Sequence, residues 1–172
     1  VRASDTEMGG GVAVRVLLLG VGNILLSDEG VGVKVIEQLE ARYSFPPEVT
    51  LVDGGTMGLE LLPYFEECSH LFLLDAIRGE APPGTLEVSE LADPPAYFRQ
   101  KISPHQIGLS EVLAVASLQE CLPALVKLFG IVPEDLSTGL SLSASNAAAV
   151  EAAVAAVLIE LANLGLSASP RV

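Results

Sequence analysis

The sequence predicts an α/β three-layer sandwich, built on a twisted, mostly parallel sheet of about five strands with an antiparallel edge strand. Three observations predict it. Short leucine- and valine-rich runs bounded by glycine recur along the chain, segments with apolar residues at helical spacing alternate with them, and one later run alternates apolar with acidic residues.

Residues 14–20 are β-branched and leucine-rich between glycines, the pattern of a central strand buried on both faces. Val31, Val35, Ile36 and Leu39 then recur at helical spacing within 28–42, so the first unit is strand, tight loop, helix. Pro46 and Pro47 end it. Residues 49–52 make a second strand that runs into Asp53-Gly54-Gly55-Thr56, where glycines permit close backbone approach. A short helix over 59–66 and a third buried strand over 71–74, closing on Asp75, follow. Leu86-Glu87-Val88 alternates, as a half-exposed strand at a sheet edge does. The proline-rich passage 91–103 is expected to hold little regular structure and to deliver Ser103-Pro104-His105-Gln106 ahead of a helix over 109–118. Residues 124–132 read as a fifth strand, and 146–164 as a terminal helix ended by Gly165.

A chain of 172 residues, half of them apolar, can bury one substantial core. One domain over 14–165 is expected, with a loose lead-in over 1–13 and a frayed tail over 166–172. The formal charge of −13 opposes binding to nucleic acid or an anionic membrane and permits attraction to a basic partner or a cation. Cys68 and Cys121 are too few for a disulfide framework and form no C-x-x-C pair, which fits reduced thiols in a cytoplasmic protein. The opening segment lacks the features of a secretion signal. Glu151 and Glu160 interrupt the alanine-rich stretch near the end, which reads as an amphipathic helix on the core rather than a membrane span.

The loop G-V-G-N-I-L-L-S-D-E-G-V-G, from Gly20, shares glycines with a dinucleotide fingerprint, but seven residues separate Gly22 from Gly30. Asp28 and Glu29 would also repel a phosphate. Asp28 is expected to brace the loop. Glu29, by contrast, opens the helix after the first strand, Asp75 and Asp53 close two other strands, and a ligand crevice in an open parallel sheet lies beyond these carboxyl ends. His105, from the irregular passage, is expected to fold over the same edge. Glu29, Asp75 and His105 supply two oxygens and an imidazole nitrogen, a set suited to zinc, nickel or ferrous iron. Capping and turn hydrogen bonds are the competing roles for each. Ser103, Ser110 and Thr56 sit in no nucleophile elbow, and Cys68 with His70 makes no nucleophile–base pair by spacing alone. His70 stands at the other end of its strand from Asp75 and reads as a surface or packing residue.

Taken in order, this loop, D-G-G-T at Asp53, D-A-I at Asp75 and K-I-S-P-H-Q-I-G-L at Lys101 resemble the nickel-iron hydrogenase maturation proteases, most of all the branch serving uptake hydrogenases. The resemblance runs over about residues 14–164. It implies an endopeptidase that removes a short C-terminal extension from the hydrogenase large-subunit precursor after nickel insertion. It also implies that Glu29, Asp75 and His105 contact the metal, with Asp53 assisting. The nickel would come with the precursor, another divalent metal could occupy the isolated site, and a monomer is expected. Two other readings compete with it: a noncatalytic nickel-sensing hydrogenase assembly chaperone and a small nucleotide-binding enzyme.

Overall fold

A computed structural model describes residues 13–99 and 104–171, the side chains of 104–107 excepted. In chain order its elements are β1 (Val16–Val21), a 3-10 turn (Ser27–Gly30), α1 (Val31–Arg42), β2 (Tyr43–Ser44) and β3 (Val49–Gly55). A second 3-10 turn (Leu59–Leu61), α2 (Leu62–Glu66), β4 (His70–Ala76), β5 (Leu86–Glu90) and α3 (Pro94–Arg99) follow. The chain continues through α4 (Pro104–Leu118), β6 (Leu125–Ile131) and α5 (Ala144–Asn163) to β7 (Ser169–Pro170).

Five strands form the main sheet in the order β3-β1-β4-β6-β5. Three of the four pairings run parallel and β5 on β6 is antiparallel, so the sheet is mostly parallel with the expected antiparallel edge strand. β1 is buried along its whole length because successive side chains point to opposite covered faces. Val16 and Leu18 pack with α1 and α5, while Leu17, Leu19 and Val21 pack with α4 and Phe65 of α2. These are the three layers.

Helix α1 owes its tight seating to Gly32. A Cβ at that position would lie 2.1 Å from the Leu74 carbonyl oxygen and 2.7 Å from that of Val21, so any larger residue would push the helix off the ends of β1 and β4. Helix α5 is long and apolar enough, by length and composition, to cross a membrane. Its stripe of Ala149, Val150, Ala153, Val154, Val157 and Leu161 instead lies in the core. Its polar face is tied down: Glu160 pairs with Lys127 at 2.6 Å and Glu151 with Arg42 at 2.8 Å.

Three segments differ from the sequence expectation. The passage over 91–103 contains α3, started by Asp93, whose Oδ1 accepts the Ala96 amide at 2.9 Å, with Pro94 and Pro95 in the first turn. Proline has no amide proton to lose there and its fixed φ suits a helix start, so these residues begin a helix instead of preventing one. For the same reason α4 begins at Pro104, five residues earlier than the spacing of Leu109 onward predicts. Finally, β7 pairs antiparallel with β2, and Arg171 donates from its amide to Arg42 O at 2.8 Å and from Nε to Tyr43 O at 2.9 Å. The end read as a frayed tail is therefore held against the body.

Candidate active site

The site is built from the loop that leaves β1. Gly22 has φ of +127°, and a Cβ there would come 1.8 Å from the Glu29 carbonyl oxygen. Only glycine combines that conformation with that approach. Asn23 turns the chain next, its Oδ1 accepting the Leu25 amide at 3.0 Å and its carbonyl accepting the Leu26 amide at 3.1 Å.

The turn that follows is zipped to the loop between β6 and α5. Leu26 and Gly139 form a parallel bridge, Gly139 N donates to Leu25 O at 2.9 Å, and Ser27 N donates to Gly139 O at 2.9 Å. Asp28 completes the joint. Fully buried, it accepts from the amides of Glu134 and Asp135 at 2.9 Å each and from the amide and hydroxyl of Ser143 at 2.7 and 2.8 Å. Its carboxylate is thus spent on loop architecture, the bracing role expected of it. Ser27, Asp28 and Glu29 also direct their amides to backbone carbonyls of Gly139, Asp135 and Leu26. With those donors engaged, the turn offers no cradle for a phosphate, which removes the basis of the dinucleotide reading.

Glu29 is the next residue and is 5% exposed, while Asp75, near the end of β4, is 0% exposed. Burial raises the Glu29 carboxyl above its ordinary value. The 3-10 turn carrying Glu29 packs against β4, and Gly32 sets the start of α1 directly on the Leu74 carbonyl beside Asp75. Both carboxylates therefore belong to the carboxyl end of the central strands, on adjacent packed elements. Two buried acids at one end of a sheet cost desolvation energy that a cation or a proton offsets.

Asp53 sits elsewhere on this edge. Gly20 lies between Asp53 and Leu74 in register, so two strand spacings, roughly 10 Å, separate the Asp53 and Leu74 backbones. The Asp53 side chain is exposed and lines a cleft of about 360 Å³ with Gly22, Asn23, Ile24, Leu25, Gly55 and Thr56. His105 falls in the first turn of α4, not in an irregular loop, and its side chain lies outside the described residues. Among the described residues no group of three or more His, Cys, Asp or Glu is placed to hold a metal ion.

The alternative nucleophiles are dispersed. Ser103 lies outside the described residues, Ser110 is on α4, and Thr56 is exposed beside the cleft. Cys68 and His70 lie at the amino end of β4, the opposite end from Asp75. Burial pushes the Cys68 thiol up to about 12, and the His70 Nδ1 is 2.8 Å from Ser69 Oγ. A thiol so hard to ionise is a poor nucleophile.

Comparison with known proteins gives the chain's family. Residues 33–160 match the model of the hydrogenase maturation proteases. The chain belongs to the hydrogenase maturation protease family. Asp53, Asp75 and His105 fall within the matched span and Glu29 lies before it, and the family consists of peptide-bond hydrolases. The chain is 42% identical over 159 residues to the hydrogenase 2 maturation protease of Escherichia coli K12, covering 92% of this chain and 97% of that protein. It is 46% identical over 141 residues to the hydrogenase expression/formation protein HoxM of Cupriavidus necator, covering 81% of this chain and 70% of that protein. The solved structure of the hydrogenase maturating endopeptidase HybD from Escherichia coli superposes with a TM-score of 0.86 at 42% identity, over 92% of this chain and 98% of that one. The predicted sandwich with its antiparallel edge strand is the fold of this family.

Proposed function

We propose that this chain removes the C-terminal extension of the nickel-iron hydrogenase large-subunit precursor once nickel has been inserted, and that Glu29, Asp75 and His105 contact the substrate's nickel. The observation that carries the reading is the delivery of two buried carboxylates, from the turn after β1 and from β4, to one end of the sheet. A cation brought by the substrate relieves the desolvation cost that Glu29 bears in its absence. Two carboxylate oxygens and an imidazole nitrogen leave coordination positions open for the thiolates that already hold the nickel.

On this reading nickel reports that the substrate is ready and fixes the scissile peptide above the carboxyl end of the strands. Water adds to the peptide carbonyl, a carboxylate takes its proton, and that proton passes to the leaving amine as the C–N bond breaks. Asp53, across the cleft, positions the substrate loop or accepts a proton and ranks behind the other three.

The test is the mass of purified precursor, nickel-loaded and nickel-free, after incubation with the wild-type chain and with Glu29→Ala, Asp75→Ala and His105→Ala. The wild type should shorten only the loaded precursor, and each folded variant should slow this at least 100-fold. Normal cleavage by all three folded variants would remove the assigned roles. An unchanged precursor mass with tight, nickel-dependent binding would replace the protease by the assembly chaperone.

A further inference from the structure

Ten large apolar side chains are exposed among the described residues. Six of them, Ile24, Leu25, Met57, Leu59, Leu136 and Leu140, belong to the segments that follow β1, β3 and β6. Those three strands are parallel, so all six residues gather at the end that carries Glu29 and Asp75. Leu25 and Leu140 are 56% and 71% exposed.

The rim is built, not loose. The backbone of Leu25 is bonded to Gly139, the neighbour of Leu140, and the Asp28 carboxylate anchors the same loop from beneath. A rigid support that holds leucines in water does nothing for the stability of the isolated chain, whereas a partner that covers them gains from their burial. The rim is also continuous with the cleft of about 360 Å³, which Ile24 and Leu25 line together with Asp53.

Charge selects the kind of partner. Residues 22–27, 56–60 and 132–143 contain Glu60, Glu134 and Asp135 and no lysine or arginine, Asp53 adds a further exposed acid, and the segment that leaves β4 at the same end adds one exposed residue of each sign, Arg78 and Glu80, so the border is acidic on balance. Two copies of a chain with net charge −13 would bring these acids together, which disfavours self-association through the rim.

We propose that this apolar, acid-bordered rim is the docking surface for the folded body of the large-subunit precursor, which meets it with an apolar patch bordered by lysine and arginine. The proposal rests on the function given above and names how the substrate is held apart from the chemistry. The central leucines exclude water and supply most of the affinity, while the acids speed encounter and set orientation.

The experiment measures binding and processing of purified nickel-loaded precursor by Leu25→Ser, Leu140→Ser and their combination. Leu118→Ser and Ile159→Ser, exposed residues near the C-terminal ends of α4 and α5, serve as controls. The combined variant should raise KM and the dissociation constant at least tenfold with kcat within twofold. The controls should stay within twofold, and wild-type KM should rise with salt. Binding within twofold of wild type by the combined variant would overturn the proposal. So would sedimentation showing that the substitutions dissolve a dimer of this chain while precursor binding is unchanged. Failure of the underlying function looks different: the wild type would leave the precursor uncut, whereas failed docking leaves wild-type cleavage intact and the leucine variants equally active.

Discussion

Asp28 grips Ser143 at both of its donors: Oδ1 accepts the Ser143 amide at 2.7 Å and Oδ2 accepts the Ser143 hydroxyl at 2.8 Å. Ser143 is also the N-cap of α5, its Oγ accepting the Asn146 amide at 3.2 Å. One buried carboxylate thus fixes the turn before Glu29, the loop after β6 and the start of the longest helix. Asp28→Ala leaves three part-buried amides without their acceptor and should destabilise the chain by about 2–4 kcal/mol, with Ser143→Ala costing about 1–2 kcal/mol. Urea unfolding of both single variants and the double variant checks this. Additive losses would show that the pair is not coupled.

Gly22 makes room for the Glu29 backbone, and the expected consequence is specific. Gly22→Ala meets both a positive φ and a carbonyl oxygen 1.8 Å from its new methyl carbon, so the turn carrying Glu29 must move. We expect a loss of at least about 2 kcal/mol in stability and a fall in precursor processing of two orders of magnitude or more. Gly79→Ala is the comparison, since a Cβ there comes no closer than 3.4 Å to its neighbours, the Glu87 and Val132 side chains. It should process precursor at close to the wild-type rate.

His70 is expected to govern part of the acid sensitivity of folding. Burial lowers its pKa below the ordinary 6.5, nearby Lys127 lowers it further, and Glu90 partly opposes them. The folded chain therefore binds the proton less tightly than the unfolded chain. The contribution to stability is full above about 6.5 and is lost as the pH falls from there through the lowered folded value. In thermal melts at about pH 7.5 and pH 5, His70→Gln should lose less stability than wild type over that interval. An identical loss would assign the acid sensitivity to other groups.

Cys68 should be chemically quiet. With its thiol pushed up to about 12 by burial, it is almost wholly protonated at neutral pH. Iodoacetamide should label it at least tenfold more slowly than a free thiol in solution, followed by peptide mass mapping. Cys68→Ser should leave precursor processing within twofold of wild type. Loss of processing in a well-folded Cys68→Ser protein would reopen the thiol chemistry that the geometry disfavours.

Much of the architecture was legible because local sequence and tertiary burial agree. β1 and β4 are apolar runs because both of their faces are covered, whereas β5 is exposed from Glu87 to Glu90, Val88 included, so its alternation marked a sheet edge without marking a buried face. Glu29 and Asp75 could be singled out because strand ends in a parallel sheet share one side, whatever the loops do. The helix α3 and the early start of α4 were not legible, since Pro94, Pro95 and Pro104 read as breakers although proline suits the first turn of a helix, where its missing amide proton is not needed. The β2–β7 ribbon is two residues on each side, too short for any periodicity to announce.

The sequence by itself determined that Glu29, Asp53 and Asp75 belong to one end of the sheet, because strands that alternate with helices run parallel and parallel strands release their loops on the same side. Only the tertiary structure decided that the two adjacent acids have opposite fates. Asp28 is enclosed by amides from more than a hundred residues away, whereas Glu29 is held beside β4 with its carboxyl raised by burial. Neighbours in sequence cannot reveal that difference. It arises from desolvation and from long-range hydrogen bonds, which exist only once the chain has closed on itself.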